Sequence, residues 1–538
     1  MAFYGGAESA TVKQRWFHCR LWVRRFSRCT AWSMLVLAAL PVVLRLALLA
    51  HNPMPVPQIA DDFSNLLLGD TLAHFRLANP SHPMHRFFEA AFVLQEPSYS
   101  SIYPPGQGVL LALGELLFRQ PWAGILLASG VLCALCYWAL RAWTTSSRAL
   151  AAGLLAVLEF GPLGEWTNQY WGGLASGIAG CLVFGSLPRL RKSGSTRYAL
   201  LLGAGLALQL ISRPFEFTLL LPVVACFLVP ILKDLGKRKL AVTSLAITAA
   251  VFPAALLMLL QDSAVTGHWT TMPYMLSRSQ YGMPTTFTFQ PLPKPERQLT
   301  REQQADYDAQ SDAHEDIPSS FKGFLQRWSE RLPDYNYFFP LPLLLVLPFF
   351  LLSLRDWKNI SVFATLLLFS LGTNFYPYFY ANYIAVLIPL FLLVTVTGLA
   401  ALNRLRIRNV VVGQVAVWLI ALLCAGQFVW TYGLRISGNG TAPNAYASWG
   451  LQGEDFYQDR IAVHQRLAQA SGSQLVFVHI GDEEDIQQWI QNGADIDHSR
   501  VVWALDLGAQ ENAHLLAYYP DRIAWRLQAG TAKLEPYK

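Results

Sequence analysis

The side chains best suited to chemistry cluster between Ile59 and Leu117, in the stretch IADDFSNLLLGDTLAHFRLANPSHPMHRFFEAAFVLQEPSYSSIYPPGQGVLLALGELL. It opens on adjacent carboxylates, Asp61 and Asp62, soon after a long apolar segment, and continues with Asp70, His74, Arg76, His82, His85, Arg86, Glu89 and Glu96. Ionisable groups are costly to hold beside a membrane, so this density points to a site. A carboxylate against apolar walls binds its proton more tightly and suits general-base work. Its neighbour could orient it, position a second substrate or hold a divalent ion. The plainer alternative is that one aspartate caps the helix suggested by FSNLLLGDTLAHF. His82 and His85, three apart in a Pro-rich loop, fit interfacial hydrogen bonding better than a metal. Tyr103-Pro104-Pro105-Gly106 is a rigid turn into a helix, or only a helix start with proline in its first turn.

The elements that must position these groups are apolar. Of 538 residues, 53% are hydrophobic and 14% charged, against about 25% charged in soluble domains. With a mean hydropathy of +0.30, the chain reads as an all-α polytopic membrane protein. Its net charge of +6 does not imply a nucleic-acid partner, because most Lys and Arg sit in short loops between apolar segments, where they set topology. The seven cysteines, in the N-terminal tail and apolar segments, show neither a disulfide framework nor zinc spacing. The first apolar segment lacks a small-residue cleavage motif and is read as a retained helix.

Residues 1–30 form a basic tail and Thr30 to Ala50 the first span. The catalytic loop occupies 51–120; its apolar end, Gly106 to Phe118, is too short to cross and is expected to lie at the interface. Further spans fit Trp122 to Ala142, then 149–166, 171–187, 198–213, 215–232, 240–260, 338–354, 359–376, 380–402 and 410–432, about eleven in all. The basic loops (Arg189 to Arg197, Lys233 to Lys239, Arg355 and Lys358, Arg404 to Arg408) share the side of the tail, which predicts N-terminus in and C-terminus out. The other face receives the loop 51–120, the insert 261–337 and residues 433–538. The insert's first half reads as polar and partly mobile; Ile317 to Leu332 has the spacing of an interfacial amphipathic helix. Strand patterns at 475–480, 500–507 and 522–529, alternating with helices at EDIQQWIQ and ENAHLLAYY, predict a small C-terminal α/β domain. Arg213, in ISRPFE, either meets a phosphate or pairs with Glu216. Asn168 and Trp171, in the outer loop NQYW, line a sugar pocket or belong to the aromatic belt.

A first helix, an outer loop opening with DDFSN, and YPPG leading into a juxtamembrane helix resemble the GT-C membrane glycosyltransferases. The nearest groups are protein O-mannosyltransferases and the aminoarabinose transferases that modify lipid A. The resemblance spans residues 30–430, with its specific motifs in 59–108. GDTLAHFRLANPSHPM through YPPGQG is also similar to a subgroup of bacterial inner-membrane proteins regarded as transferases. The resemblance implies a polyprenyl-phosphate-sugar donor and inverting transfer to a periplasmic acceptor (lipid, glycan or protein) in the bacterial inner membrane, among membrane lipids. Asp61 matches the catalytic acid, and Asp62 stands where relatives carry Glu. Relatives often have Lys before the Pro-Pro turn; here Ser101, Ile102 and Tyr103 stand there. Phosphate binding then falls to Arg76, Arg86, Arg213 or Arg278, with Tyr103 at the turn, or to a metal. His82, His85, Glu89, Asn168 and Trp171 are the candidates for the acceptor and sugar pocket. The sequence identifies no cofactor, and a divalent cation is admitted without a ligand set. The rival reading is a transporter or flippase of a lipid-linked saccharide, which predicts an internal repeat; none is visible.

Overall fold

The computed structural model describes residues 21–437 apart from 235, 407, 409 and 410, and residues 454–481 and 488–537. The chain is mostly helical, with a small sheet near its C-terminal end. Among the described residues five helices are long and apolar enough to cross a membrane: Thr30–Ala47, Pro121–Leu140, Lys237–Thr266, Ala381–Leu402 and Val412–Ile436. A sixth results if Phe321–Phe338 and Leu341–Leu351, bent by 112°, form one span. The eleven spans read from hydropathy therefore do not all meet that length and composition. Thr196–Ser212 is apolar but shorter, and 17 residues of helix give about 26 Å against a hydrocarbon core of about 30 Å.

The outer loop is folded, not extended. Helix Ala60–Ala73 carries the acid pair, and helix Pro105–Phe118 follows the Tyr-Pro-Pro turn. The two cross closely because glycine stands at the contact: a Cβ on Gly69 would lie 2.6 Å from Leu111 Cβ, and one on Gly108 would run into Leu68. Between them β1 (Asn79–Pro80), β2 (Val93–Leu94) and β3 (Ser98–Ser101) form a small antiparallel sheet in the order β1-β3-β2.

The insert is better ordered than its polarity suggests. Residues expected to be partly mobile form helix Arg301–Glu315, closed by a reciprocal capping box between Thr300 and Gln303. That T-x-x-Q signal is legible in the sequence and satisfies two backbone donors at once. The amphipathic segment becomes helix Phe321–Glu330, capped by Ser320 Oγ accepting from Gly323 N at 3.1 Å.

In the C-terminal region β4 (Gln474–His479), β5 (Val501–Leu505), β6 (Ile523–Gln528) and β7 (Lys533–Pro536) are ordered β5-β4-β6-β7. The first three are parallel and β7 is antiparallel to β6. Helix Ala509–Tyr518 matches the expected ENAHLLAYY segment. The helix expected at EDIQQWIQ is not found over its described part, 488–491, and residues 484–487 lie outside the described residues. The sheet shares one apolar core with the outer loop: Leu67, Phe87, Phe88, Val93 and Tyr99 pack with Leu475, Val502, Trp503 and Leu515. Large apolar surface is thereby removed from water at the junction, so the C-terminal region is fixed against the helix that bears Asp61.

Candidate active site

Asp61 and Asp62 lie in the first helical turn, where the backbone dipole favours carboxylates, and the cap residue is Ile59. Neither aspartate is the cap. Asp62 is 2% exposed. Its oxygens accept from Gln58 N and Tyr170 N, each at 2.9 Å. Burial pushes its pKa up to about 6. With both oxygens held by backbone, it ties the start of the helix to the loop around Tyr170. Asp61 is half-buried. Its carboxylate accepts from the Tyr103 hydroxyl at 2.6 Å. Burial raises its proton affinity, and the Tyr103 bond and the Arg213 charge pull it partly back.

Tyr103 is held by the turn. Its amide donates to Ser101 Oγ at 3.1 Å and its carbonyl accepts from Gln261 Nε2 at 3.2 Å. Its ring packs near Phe92 and Tyr274, with centroids 6.1 and 6.4 Å away. Arg213 caps helix Thr196–Ser212, with its guanidinium 4.8 Å from the Tyr383 ring centroid. The expected alternative, an Arg213–Glu216 pair, is not formed as a contact: Glu216 acts on Arg213 only through its field, and its Oε1 accepts instead from the Tyr376 hydroxyl at 3.4 Å. A wall of aromatic rings follows, with Tyr376 against Tyr383, Tyr380 against Tyr378 and Tyr383, and Trp171 edge-on to Tyr380 at 5.8 Å. The Trp171 indole N–H is buried without a partner among the described residues.

The insert adds two acids that sequence reasoning missed. Glu302, Asp306 and Gln310 recur at i, i+4 and i+8 on helix Arg301–Glu315, one face by helical spacing. Asp306 Oδ2 accepts from Gln310 Nε2 at 3.2 Å, and Gln310 Oε1 accepts from Thr285 N at 2.9 Å. Burial and the Asp61 charge push Asp306 up to about 7. Glu302 is 3% exposed. Burial and the Asp306 charge push it up to about 8, against the pull of Arg460. Arg460, from helix Glu454–Gln469, is buried over the Phe63 ring at 5.1 Å and Trp489 at 4.6 Å.

Asp61, Tyr103, Arg213 and Trp171 thus border one region, and other expected site residues do not. His82 Nε2 meets Asp497 at 3.0 Å in the contact with the C-terminal region, near Tyr519. His85 lies 3.9 Å from Glu96. Glu89 meets Arg297 at 3.5 Å and Gln303 at 3.2 Å. Arg86 is exposed, 4.0 Å from Glu511. Arg76 is half-buried. Arg278 donates to the Pro284 and Thr285 carbonyls. Asn168 accepts from the buried Arg45 at 2.7 Å and donates to two carbonyls, a structural use of its whole amide. Among the described residues no three His, Cys, Asp or Glu side chains are grouped to share a metal ion.

The assembled groups suit proton abstraction by a desolvated carboxylate beside a cation that can take up developing negative charge. No protein-family profile matches the chain, and no curated protein does. In three dimensions it is similar to ArnT from Cupriavidus metallidurans, in the apo state and bound to undecaprenyl phosphate, each with TM-score 0.47, 13% identity and 93% of both chains covered. It is also similar to the apo oligosaccharyltransferase of Archaeoglobus fulgidus, with TM-score 0.45, 11% identity, 84% of this chain and 62% of that one.

Proposed function

We propose that the chain is an inverting glycosyltransferase that moves a sugar from a polyprenyl-phosphate donor to an envelope acceptor. One observation carries this reading: a half-buried carboxylate, Asp61, bonded to the hydroxyl of the Tyr-Pro-Pro turn and within the field of Arg213. Asp61 removes the proton of the acceptor hydroxyl or amine as the acceptor atom bonds to the anomeric carbon. The bond from that carbon to the lipid phosphate breaks on the opposite face, which inverts the configuration. The leaving phosphate carries the negative charge, and Arg213 receives it; an oriented cation in a water-poor site lowers that barrier strongly. The Tyr103 hydroxyl holds the Asp61 oxygen in place, and Asp62 fixes the helix that presents it. Trp171, with a spare indole donor and a ring on Tyr380, suits the sugar. The reaction belongs on the periplasmic face of a bacterial inner membrane, with the N-terminus cytoplasmic and the C-terminus periplasmic.

The test is transfer by the purified full chain in lipid nanodiscs, given a radiolabelled polyprenyl-phosphate sugar and envelope lipid extract. The expected result is a labelled product of inverted anomeric configuration and release of polyprenyl phosphate. Movement of the intact lipid-linked sugar across a bilayer, with no bond broken, would favour the flippase reading instead.

A further inference from the structure

The C-terminal sheet has β4 at its centre, β5 on one side and β6 on the other. Ligands of open parallel sheets lie beyond the carboxyl ends of strands where the order diverges in this way. A cavity of about 630 Å3 opens there, lined among others by His479, Asp506, Gly508, Arg526, Glu535 and Tyr537. Small-molecule sites usually measure roughly 300–1,000 Å3.

Asp506 organises the lining. Its side chain is 8% exposed, accepts from His479 Nδ1 at 3.0 Å and forms an ion pair with Arg526, whose Nε lies 3.2 Å away. It also accepts from Asn512 Nδ2 at 2.7 Å and Gly508 N at 3.2 Å. Spending Nδ1 in this way leaves the imidazole Nε2 and the guanidinium N–H groups for something else, and both side chains are partly exposed. Asn512 donates a further bond to the Tyr537 hydroxyl at 3.0 Å, fixing a ring that packs on Phe477 at 4.8 Å. Gly508, at φ +94°, has no atom within 4 Å of where a Cβ would stand, so the rim is open backbone.

The charge balance selects the ligand class. Each cation here is already matched: Arg526 by Asp506, and Lys533 by Glu535 at 2.6 Å, Glu535 being the register partner of Arg526 on β7. A phosphate would face those two carboxylates at once. A neutral ligand rich in hydroxyls meets donors, acceptors and an aromatic edge together. The end of β4 beside the cleft is also tied to the helix from the insert. Arg301 Nη1 donates to the carbonyl of Ile480, next to His479, at 3.3 Å. Arg301 begins the helix that carries Asp306, about 7.5 Å further along its axis, into the field of Asp61. We infer that this cleft binds a neutral saccharide, the glycan part of the acceptor; the choice of a saccharide rests on the transfer reading above.

The test is saturation-transfer NMR on the full chain in nanodiscs, with the methyl glycosides of glucose, galactose, mannose and N-acetylglucosamine as probes. At least one should receive saturation from the parent protein. Binding should weaken about tenfold in Arg526→Ala, the size of one lost charged hydrogen-bonding group, fall measurably in Glu535→Gln, and persist in Asp61→Asn. Glu535 is exposed, so its variant decides the matter if Arg526→Ala does not fold. Silence of all four probes, or signals unchanged in both cleft variants, would overturn the inference. Transfer activity without cleft binding removes this inference alone; cleft binding without transfer activity removes the transfer reading alone.

Discussion

Asp61 and Asp70 belong to one helix, yet the chain treats them in opposite ways. Asp70 turns toward the C-terminal region, where its Oδ2 accepts from Ala494 N at 2.6 Å. Nearby, Tyr99 donates to the Asn492 carbonyl at 3.0 Å, and His82 meets Asp497 and Tyr519. On that side these three side chains each have a partner in the neighbouring element, as buried polar groups require. At the other end of the helix Asp61 has the Tyr103 hydroxyl, Arg213 has an aromatic ring and distant charges, and the Trp171 N–H has nothing among the described residues. Groups left desolvated and under-partnered cost stability in the resting protein. The difference teaches that density of charge marks both halves of an ion-rich loop, and that on the transfer reading proposed above the under-partnered ionisable groups are the ones assigned to chemistry.

The comparison breaks most sharply at Arg213. Arg213→Ala should lower the transfer rate about 10²–10³-fold, the range for losing one preorganised charge-stabilising group, a larger effect than the melting loss caused by removing the compensating charge from the buried Glu216. A single-turnover assay beside a melting curve checks it. A large loss of melting temperature with normal turnover would return Arg213 to the scaffold.

Tyr103→Phe should have a smaller effect, about tenfold, of the size of one hydrogen bond to a charged group. It also carries a sign. The Tyr103 bond lowers the proton affinity of Asp61, so its removal raises that affinity. The limb of the pH–rate profile that climbs as the base ionises should shift to higher pH, and an unmoved limb would uncouple Tyr103 from Asp61.

Glu302→Gln tests the acid from the insert through stability. The folded-state pKa of Glu302 is raised to about 8 from an ordinary 4.5. Its stabilising contribution is therefore complete below the unfolded value and is lost as pH rises through the folded one. The variant should melt higher than the parent near pH 9 and much the same near pH 4. A difference that grows instead toward acid would contradict the burial of this group. The smallest effect belongs to Arg86→Ala, since its 4.0 Å contact with Glu511 joins two exposed side chains. Stability and transfer should both stay within about 0.5 kcal/mol of the parent.

Much of this was legible beforehand, for reasons that differ by residue. The acid pair and the Tyr-Pro-Pro turn stand out because their types and spacing are rare in an apolar chain, and the structure joins them through a single hydrogen bond. The strands at β4, β5 and β6 were legible because buried parallel strands read as short apolar runs. His82, His85 and Arg86 could not be placed beforehand because sequence shows charge without partners; their partners, Asp497, Glu96 and Glu511, include two from the far end of the chain. Glu302 and Asp306 were hidden inside a segment polar enough to pass for a mobile loop, although Thr300 and Gln303 announce its helix. Among the described residues five or six of the eleven expected spans meet the length and composition of a crossing helix, because hydropathy registers apolar segments whatever their helical length.

The central claim rests on the division of labour between Asp61 and Asp62, and transfer rate and melting temperature measured together for Asp61→Asn and Asp62→Asn test it most directly. Asn preserves the size of either side chain and removes the charge. Asp61→Asn should melt like the parent and transfer about 10²–10⁴-fold more slowly, the range for a lost general base. Asp62→Asn should melt lower, because its amide cannot accept from both Gln58 N and Tyr170 N, and should retain more activity. Transfer by Asp61→Asn at the parent rate, or a greater loss at Asp62 than at Asp61 without a change in melting, would contradict the account.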